Sequence, residues 1–394
     1  MNILIIGQHT NNYGDEAAGI ALLQRLLEIE NVEKINVLYR SDNDKLPFDD
    51  DRICHCNKNV PTYKARGRLH VLSDIKYFVQ LALRKKEKNT VLLKLLEEAD
   101  VVYLSPCGAN IGSYRDRILL YTLLTCVARN KNVITHLNTF DDSEQFLFNK
   151  IAIYCLKRAK VYVREKRSIN YLRKKGVNAK FGVDSAFMFK NSKCTLENMN
   201  GYILLILSEI NMWHRKYINK NWSRKDYYKC LVKPVLKYAK ENNKKVIIAA
   251  HTDIDRNFIH ELFLYGSEEY PEYCVDKSNI SSVYEYDSLI KHSWLVVTSR
   301  YHGIVLSAKS QIPCLGLAYD TKSIEVSEYI DCSEQCVWIE QVMDGDIKLE
   351  ELLNYIDINR EMIYKKLYIF NKSDTLKTVF EPTNILMGDN DGSK

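Results

Sequence analysis

Arg300 and His302 stand two residues apart, directly after the apolar run Leu295-Val296-Val297-Thr298. A guanidinium forms paired hydrogen bonds to a carboxylate or phosphate. An imidazole gives or takes a proton near neutral pH. Together they describe an anion site with an acid/base attached. Leu295 to Thr298 predicts a strand buried on both faces. Ser299 offers an N-cap, and Ile304, Leu306 and Ala308 read as a packed helix that Pro313 ends. Cys314 to Ala318 returns to the sheet. The pair therefore falls at the carboxyl end of a strand and the amino end of a helix, where open α/β sheets bind ligands and a helix dipole favours an anion. Gly303 permits close backbone approach. The plainer alternative is a capping arginine and a histidine satisfied by backbone, but the turn position favours a site.

A second turn of this kind lies near the start of the chain. Ile3 to Ile6 reads as a buried strand, and Ala17, Ile20, Ala21, Leu23, Leu26 and Leu27 as the apolar face of a helix. Between them Asn11, Asn12 and Gly14 form a polar loop, with Asp15 as the expected N-cap. That layout suits substrate contacts from Asn12 and Gly14. It is not the dinucleotide fingerprint, since G-x-G-x-x-G is absent. Arg164, at the end of Val161-Tyr162-Val163, is either a second anion ligand or a salt-bridged structural residue.

The elements that must hold these turns alternate strand and helix twice over. The pattern implies an α/β protein with two Rossmann-like, doubly wound domains facing a cleft. The expected boundaries are 1–192 for the first domain, 200–340 for the second, 341–386 for a helical segment and 387–394 for a disordered tail, with 194–200 as linker. At 394 residues the chain is too long for one core. Hydrophobic content of 46% and charged content of 27% are those of a globular protein.

A net charge of +6 suits small anions or an anionic surface. Without a basic stripe interleaved with stacking aromatics, it gives no nucleic-acid pattern. Residues 63–88 alternate lysines and arginines with apolar residues. They fit either an anionic membrane surface or a solvated helix face. Eleven scattered cysteines, mostly inside apolar runs, describe reduced thiols of the cytoplasm. Cys54-His55-Cys56 lacks a second ligand pair at zinc spacing, so no metal site is expected. Met1 to Gly7 reads as a strand rather than a signal peptide, and no run is long enough to span a bilayer.

Asn12-x-Gly14-Asp15-Glu16-Ala17, Val163-Arg164-Glu165 before Ser168, and Ser299-Arg300-x-His302 followed by Pro313 and Tyr319-x-x-Lys322 resemble the polysaccharide pyruvyl transferase family. The resemblance runs from about Asn2 to Tyr329, with three motifs in order, each at a strand end. It implies the two-domain glycosyltransferase B-type fold, with the acceptor on the first domain and the donor on the second. It also implies transfer of the enolpyruvyl unit of phosphoenolpyruvate onto two hydroxyls of a sugar, giving a pyruvate ketal and phosphate.

Under that reading phosphoenolpyruvate is a co-substrate and no cofactor or metal is required. His302 is the acid, Arg300 grips the anion, and Asp15 is a base or acceptor contact. Arg164, Ser299, Gly303, Lys322, Asn12 and Gly14 bind substrate. The acceptor is a sugar or lipid-linked oligosaccharide of a capsule or other cell-surface glycan, met in the cytoplasm at the inner face of the plasma membrane. Two rivals are a nucleotide-sugar glycosyltransferase, with Glu325 or Glu328 on the donor ribose, and a non-catalytic scaffold for polymer assembly.

Overall fold

A computed structural model of the chain describes residues 1–40, 45–56, 90–193, 201–210, 218 and 220–387. The basic segment 63–88, the linker 194–200 and all of the tail except Met387 lie outside the described residues. Among the described residues no helix is long and apolar enough to cross a membrane.

The described residues form two compact units, each built around a parallel sheet. In unit 1 the strands β1 (Asn2–Gln8), β2 (Lys34–Tyr39), β3 (Ile53–Cys56), β4 (Val101–Leu104) and β5 (Asn132–Thr135) lie in the order β3-β2-β1-β4-β5. The continuous apolar runs of β1, β2 and β4 are buried, as strands covered on both faces must be. The Arg117–Ala128 helix turns Leu119, Leu120, Leu123 and Leu124 into the core, against Phe148 and Ile151 of the Phe146–Leu156 helix. Each such side chain contributes roughly 1.5–3 kcal/mol of burial. A short pair, β6 (Val161–Val163) and β7 (Ala179–Phe181), is tied to the end of β5 by isolated bridges.

Unit 2 contains β8 (Tyr202–Ile206), β9 (Val246–Ala249), β10 (Cys274–Lys277), β11 (Ser293–Thr298), β12 (Cys314–Ala318) and β13 (Cys336–Trp338), in the order β10-β9-β8-β11-β12-β13. In both units the chain lays three strands to one side and then returns to build the other. The reversal falls between β1 and β4 in unit 1, and between β8 and β11 in unit 2. These are the switch points where open α/β sheets leave a crevice at their carboxyl edge.

The units are not the consecutive halves that the alternation predicts. Unit 1 takes Met1–Thr10, Ala18–Ser185 and the segment from Lys377, whereas unit 2 takes Asn11–Ala17 and Ala186–Leu376. Asn11–Ala17 joins unit 2 through backbone: Asn12 bridges Thr252, and the Tyr13 amide donates to the His251 carbonyl at 3.3 Å. The helical segment expected from 341 divides accordingly. Its last turns pack on unit 1, where Tyr103 Oη donates to the Pro382 carbonyl at 2.8 Å. The helix expected over Leu349–Lys366 is two helices, Leu349–Ile358 and Arg360–Phe370, broken at Asn359.

Candidate active site

Three strand ends and the Asn11–Ala17 segment build one polar site in unit 2. β11 delivers Thr298 to the switch point, and the Tyr301–Lys309 helix starts two residues on. Thr298 Oγ1 accepts from the Arg300 amide at 2.9 Å, fixing the turn. Arg300 occupies the N-cap position without a capping bond from its own side chain, and the first turn holds no acidic residue. The Arg300 guanidinium lies 15% exposed and ion-pairs with Asp255, which is 2% exposed. Burial is the largest single influence and opposes its charge, but Asp255, Tyr319 and Tyr286 together hold the guanidinium more firmly protonated. Its Nε is buried without a hydrogen-bond partner.

Asp255 is itself held. Its Oδ2 accepts from Thr252 Oγ1 at 2.9 Å and from the Thr252 amide at 3.1 Å, in a capping box that follows β9. One carboxylate oxygen therefore anchors the loop, and the other aims the guanidinium.

His302 lies in the first turn of the Tyr301–Lys309 helix and is buried. Its ring stacks on that of His251, with centroids 6.0 Å apart and planes at 20°. Gly14 supports it from the other segment: a Cβ at Gly14 would sit 2.0 Å from His302 Nδ1. His251 follows β9 and pairs through Nδ1 with Tyr286 Oη at 2.9 Å. Burial pushes the His251 imidazole well below its ordinary range, and the charges of Arg300, His302 and Lys322 push it further. His251 is therefore neutral. The Tyr286 hydroxyl is held protonated by burial, so it is a fixed partner. Lys322 enters from the end of β12, with Nζ 3.7 Å from Asp320 Oδ2. Arg300, His302 and Lys322 thus gather around His251 at this helix start, a set of groups suited to an anion.

Several expected site residues have other tasks. Ser299 does not cap the helix; its Oγ accepts from the Ser208 amide at 2.9 Å and ties β11 to β8 at the switch point. Gly303 offers no amide to a ligand, because its N–H donates to the Arg300 carbonyl at 2.9 Å. Its missing side chain serves helix-to-strand packing, since a Cβ there would meet Thr298 Oγ1 at 2.4 Å.

Asn12, not Asp15, caps the Tyr13–Leu27 helix: its Oδ1 accepts from the amides of Gly14 and Asp15 at 3.0 and 3.2 Å. Asp15 lies buried in the first turn of that helix. Arg164 is the structural alternative. It belongs to unit 1, is 2% exposed, ion-pairs with buried Asp184 and donates to Thr139 Oγ1 at 3.3 Å. The structure thus brings Arg300, His302, Lys322 and Gly14 into one unit-2 site.

A family model described as polysaccharide pyruvyl transferase matches residues 12–321. The chain belongs to that family. Membership makes it a transferase, and the matched range takes in Gly14, His251, Asp255, Arg300 and His302 and stops one residue before Lys322. No curated protein matches the chain.

Among solved structures, the UDP-GlcNAc 2-epimerase of Methanocaldococcus jannaschii is 14% identical, with a TM-score of 0.55 over 98% of this chain and 99% of that one. The UDP-GlcNAc 2-epimerase of Neisseria meningitidis is 11% identical, with a TM-score of 0.58 over 98% and 99%. An S. aureus MnaA–UDP structure is 14% identical, with a TM-score of 0.57 over 98% and 94%. These likenesses show the glycosyltransferase B-type fold with its Rossmann-like units.

For this pyruvyl transferase family member, the residues that sequence reading did not single out are His251, Asp255, Tyr286 and Tyr13. Thr252-x-x-Asp255 after a buried strand was the available signal for two of them, because a capping box marks the strand end.

Proposed function

We propose that the chain transfers the enolpyruvyl unit of phosphoenolpyruvate onto two hydroxyls of one sugar in a cell-surface polysaccharide or its precursor. The methylene carbon gains a proton, both hydroxyl oxygens bond to the central carbon, and the C–O bond to phosphate breaks. Two hydroxyl protons are released. One balances the proton given to carbon, and the other leaves with phosphate.

His302 supplies the proton to the methylene carbon. Arg300 binds the carboxylate or phosphate through the face that Asp255 leaves uncovered, and Lys322 stabilises the departing phosphate. Asp15 is the candidate to accept a hydroxyl proton. His251 stays neutral beside His302.

The observation that carries this reading is the Asp255–Arg300 pair with His302 at the start of the Tyr301–Lys309 helix, in a chain of this family. The test is incubation of the protein with phosphoenolpyruvate and the organism's surface glycan. Phosphate release with a pyruvyl mass increment on the glycan is expected. Nucleotide release from a UDP- or CMP-sugar, with phosphoenolpyruvate untouched, would replace this reading with a glycosyltransferase.

A further inference from the structure

His251 follows β9 at the carboxyl edge of the unit-2 sheet and is 2% exposed. Its backbone and its ring are both clamped. The Tyr13 amide donates to the His251 carbonyl at 3.3 Å, and Asn12 bridges Thr252. Tyr286, from the Val283–Lys291 helix, brings its hydroxyl to 2.9 Å from His251 Nδ1. Tyr286 is held in turn: its ring stacks on Tyr13 with centroids 5.2 Å apart, and Tyr13 Oη donates to the Ile280 carbonyl at 2.6 Å. Ser282 fixes the start of the helix that carries Tyr286, its Oγ accepting from the Glu285 amide at 3.3 Å.

The direction of the Tyr286–His251 bond follows from what each atom can do. Tyr286 is fully buried, and Nδ1 is the one hydrogen-bond partner of its hydroxyl among the described residues. Were Nδ1 to donate, the phenolic proton would be buried without an acceptor, a costly arrangement. The hydroxyl therefore donates and Nδ1 accepts. His251 is neutral, so its single ring proton sits on Nε2. Ring geometry turns Nε2 away from Tyr286. That N–H makes no hydrogen bond among the described residues, although buried donors are nearly always paired. Besides Tyr286, the charged or titratable groups that act on His251 are Arg300, His302 and Lys322, and Asp255 pairs with the first of them.

We propose that His251 donates through Nε2 to an anion bound by Arg300 and Lys322, and that Tyr286 sets the tautomer that allows it. The two cations give the anion its charge partners. A neutral N–H adds direction without placing a third positive charge beside them. Nor does it rival His302 as an acid, because a neutral imidazole keeps its remaining proton near neutral pH. His251 touches the anion, whereas Tyr286 acts only through His251, as a positioning residue. That the anion is phosphoenolpyruvate rests on the function proposed above; the tautomer and the anion contact do not.

The test is 15N NMR of the full chain labelled at its nine histidines, alone and with inorganic phosphate or phosphoenolpyruvate. His251→Gln identifies the His251 signals by their loss. At about pH 7, Nδ1 should be unprotonated and Nε2 protonated, and the Nε2 signal should move as the anion saturates. In calorimetry, His251→Asn should weaken phosphoenolpyruvate binding about ten- to a hundredfold, the range for a hydrogen bond to a charged group. His251→Gln should recover most of that loss, because its amide NH2 can donate from near the Nε2 position. Tyr286→Phe should leave a mixture of the two tautomers and weaken binding about fivefold. The parent spectrum decides the tautomer even where a substitution disturbs folding. A proton on Nδ1, an Nε2 signal unmoved by an anion that binds, parent affinity in His251→Asn, or no binding of either anion would overturn the assignment. An Nε2 response to phosphate without phosphoenolpyruvate binding would keep the contact and remove the pyruvyl reading instead.

Discussion

The carboxyl edges of the two sheets share a topology and differ in what stands at the first turn of the next helix. In unit 1, Asp116 caps the Arg117–Ala128 helix and pairs with Arg40. In unit 2, Arg300 stands at the N-cap of the Tyr301–Lys309 helix, and Asp255 reaches it from a separate loop. The same two charges are present in each case. In one the carboxylate caps the helix end, whereas in the other it turns the guanidinium that stands there and makes no cap itself. Placement of a carboxylate, not net charge, decides whether such an edge is suited to an anion.

The strongest way to break this comparison is His302→Asn. Loss of an acid/base group should lower phosphate release from phosphoenolpyruvate by about a thousandfold, with the fold intact by circular dichroism. Retention of most turnover would remove His302 from the chemistry. Arg300→Lys comes next: it keeps the charge but loses the fork, so the KM for phosphoenolpyruvate should rise about tenfold or more. An unchanged KM would place the anion elsewhere.

Gly14→Ala probes the support rather than the chemistry. A methyl group 2.0 Å from the His302 ring must displace it. A displacement of about 1 Å is expected to lower kcat by up to about a hundredfold, with donor binding changed much less. Equal losses in kcat and donor affinity would instead indicate collapse of the whole edge.

The smallest effect is shared by both units. His136 is buried in unit 1, and burial lowers its imidazole to about 3, only partly offset by Asp184. His251 is lowered in the same direction. Both native imidazoles bind protons less readily than in the unfolded chain. Stability should therefore be full above the unfolded value near about 6.5 and fall as the pH drops below it. The slope is up to about 1.4 kcal/mol per pH unit for each histidine. Thermal melts across that range should show it, and His136→Leu should flatten the acid limb. An acid limb that His136→Leu leaves unchanged would exclude His136 as a source.

The strand–turn–helix around Arg300 and His302 was legible because its signals are local: a β-branched run, a polar turn, a small-residue helix and Pro313. Asp255 was not, because it reaches Arg300 from forty-five residues away, and sequence spacing carries no record of that meeting. The cap at the Tyr13–Leu27 helix was misplaced for a related reason. Asn12 and Asp15 are both good caps, and only the pairing of Asn12 with Thr252 decides between them. Arg164 had two readings, and its partner Asp184 twenty residues on selects the structural one. The order of βα elements gave away two Rossmann-like units. It could not show that Asn11–Ala17 and the segment from Lys377 cross over, since both crossings depend on packing alone.

That last crossing bears on how the chain is made. Lys377 to Met387 pack where Arg25, Tyr103 and Val183 wait for them, through Asn384, Pro382 and Thr378 respectively. A ribosome finishes nearly everything else in unit 1 before it reaches Ala186 and the bulk of unit 2, yet these last turns emerge after both. The first unit to be synthesised is thus the last to be completed. Chaperone dependence, or damage from a tag or truncation after Leu376, should register first in the part of the protein that is farthest upstream.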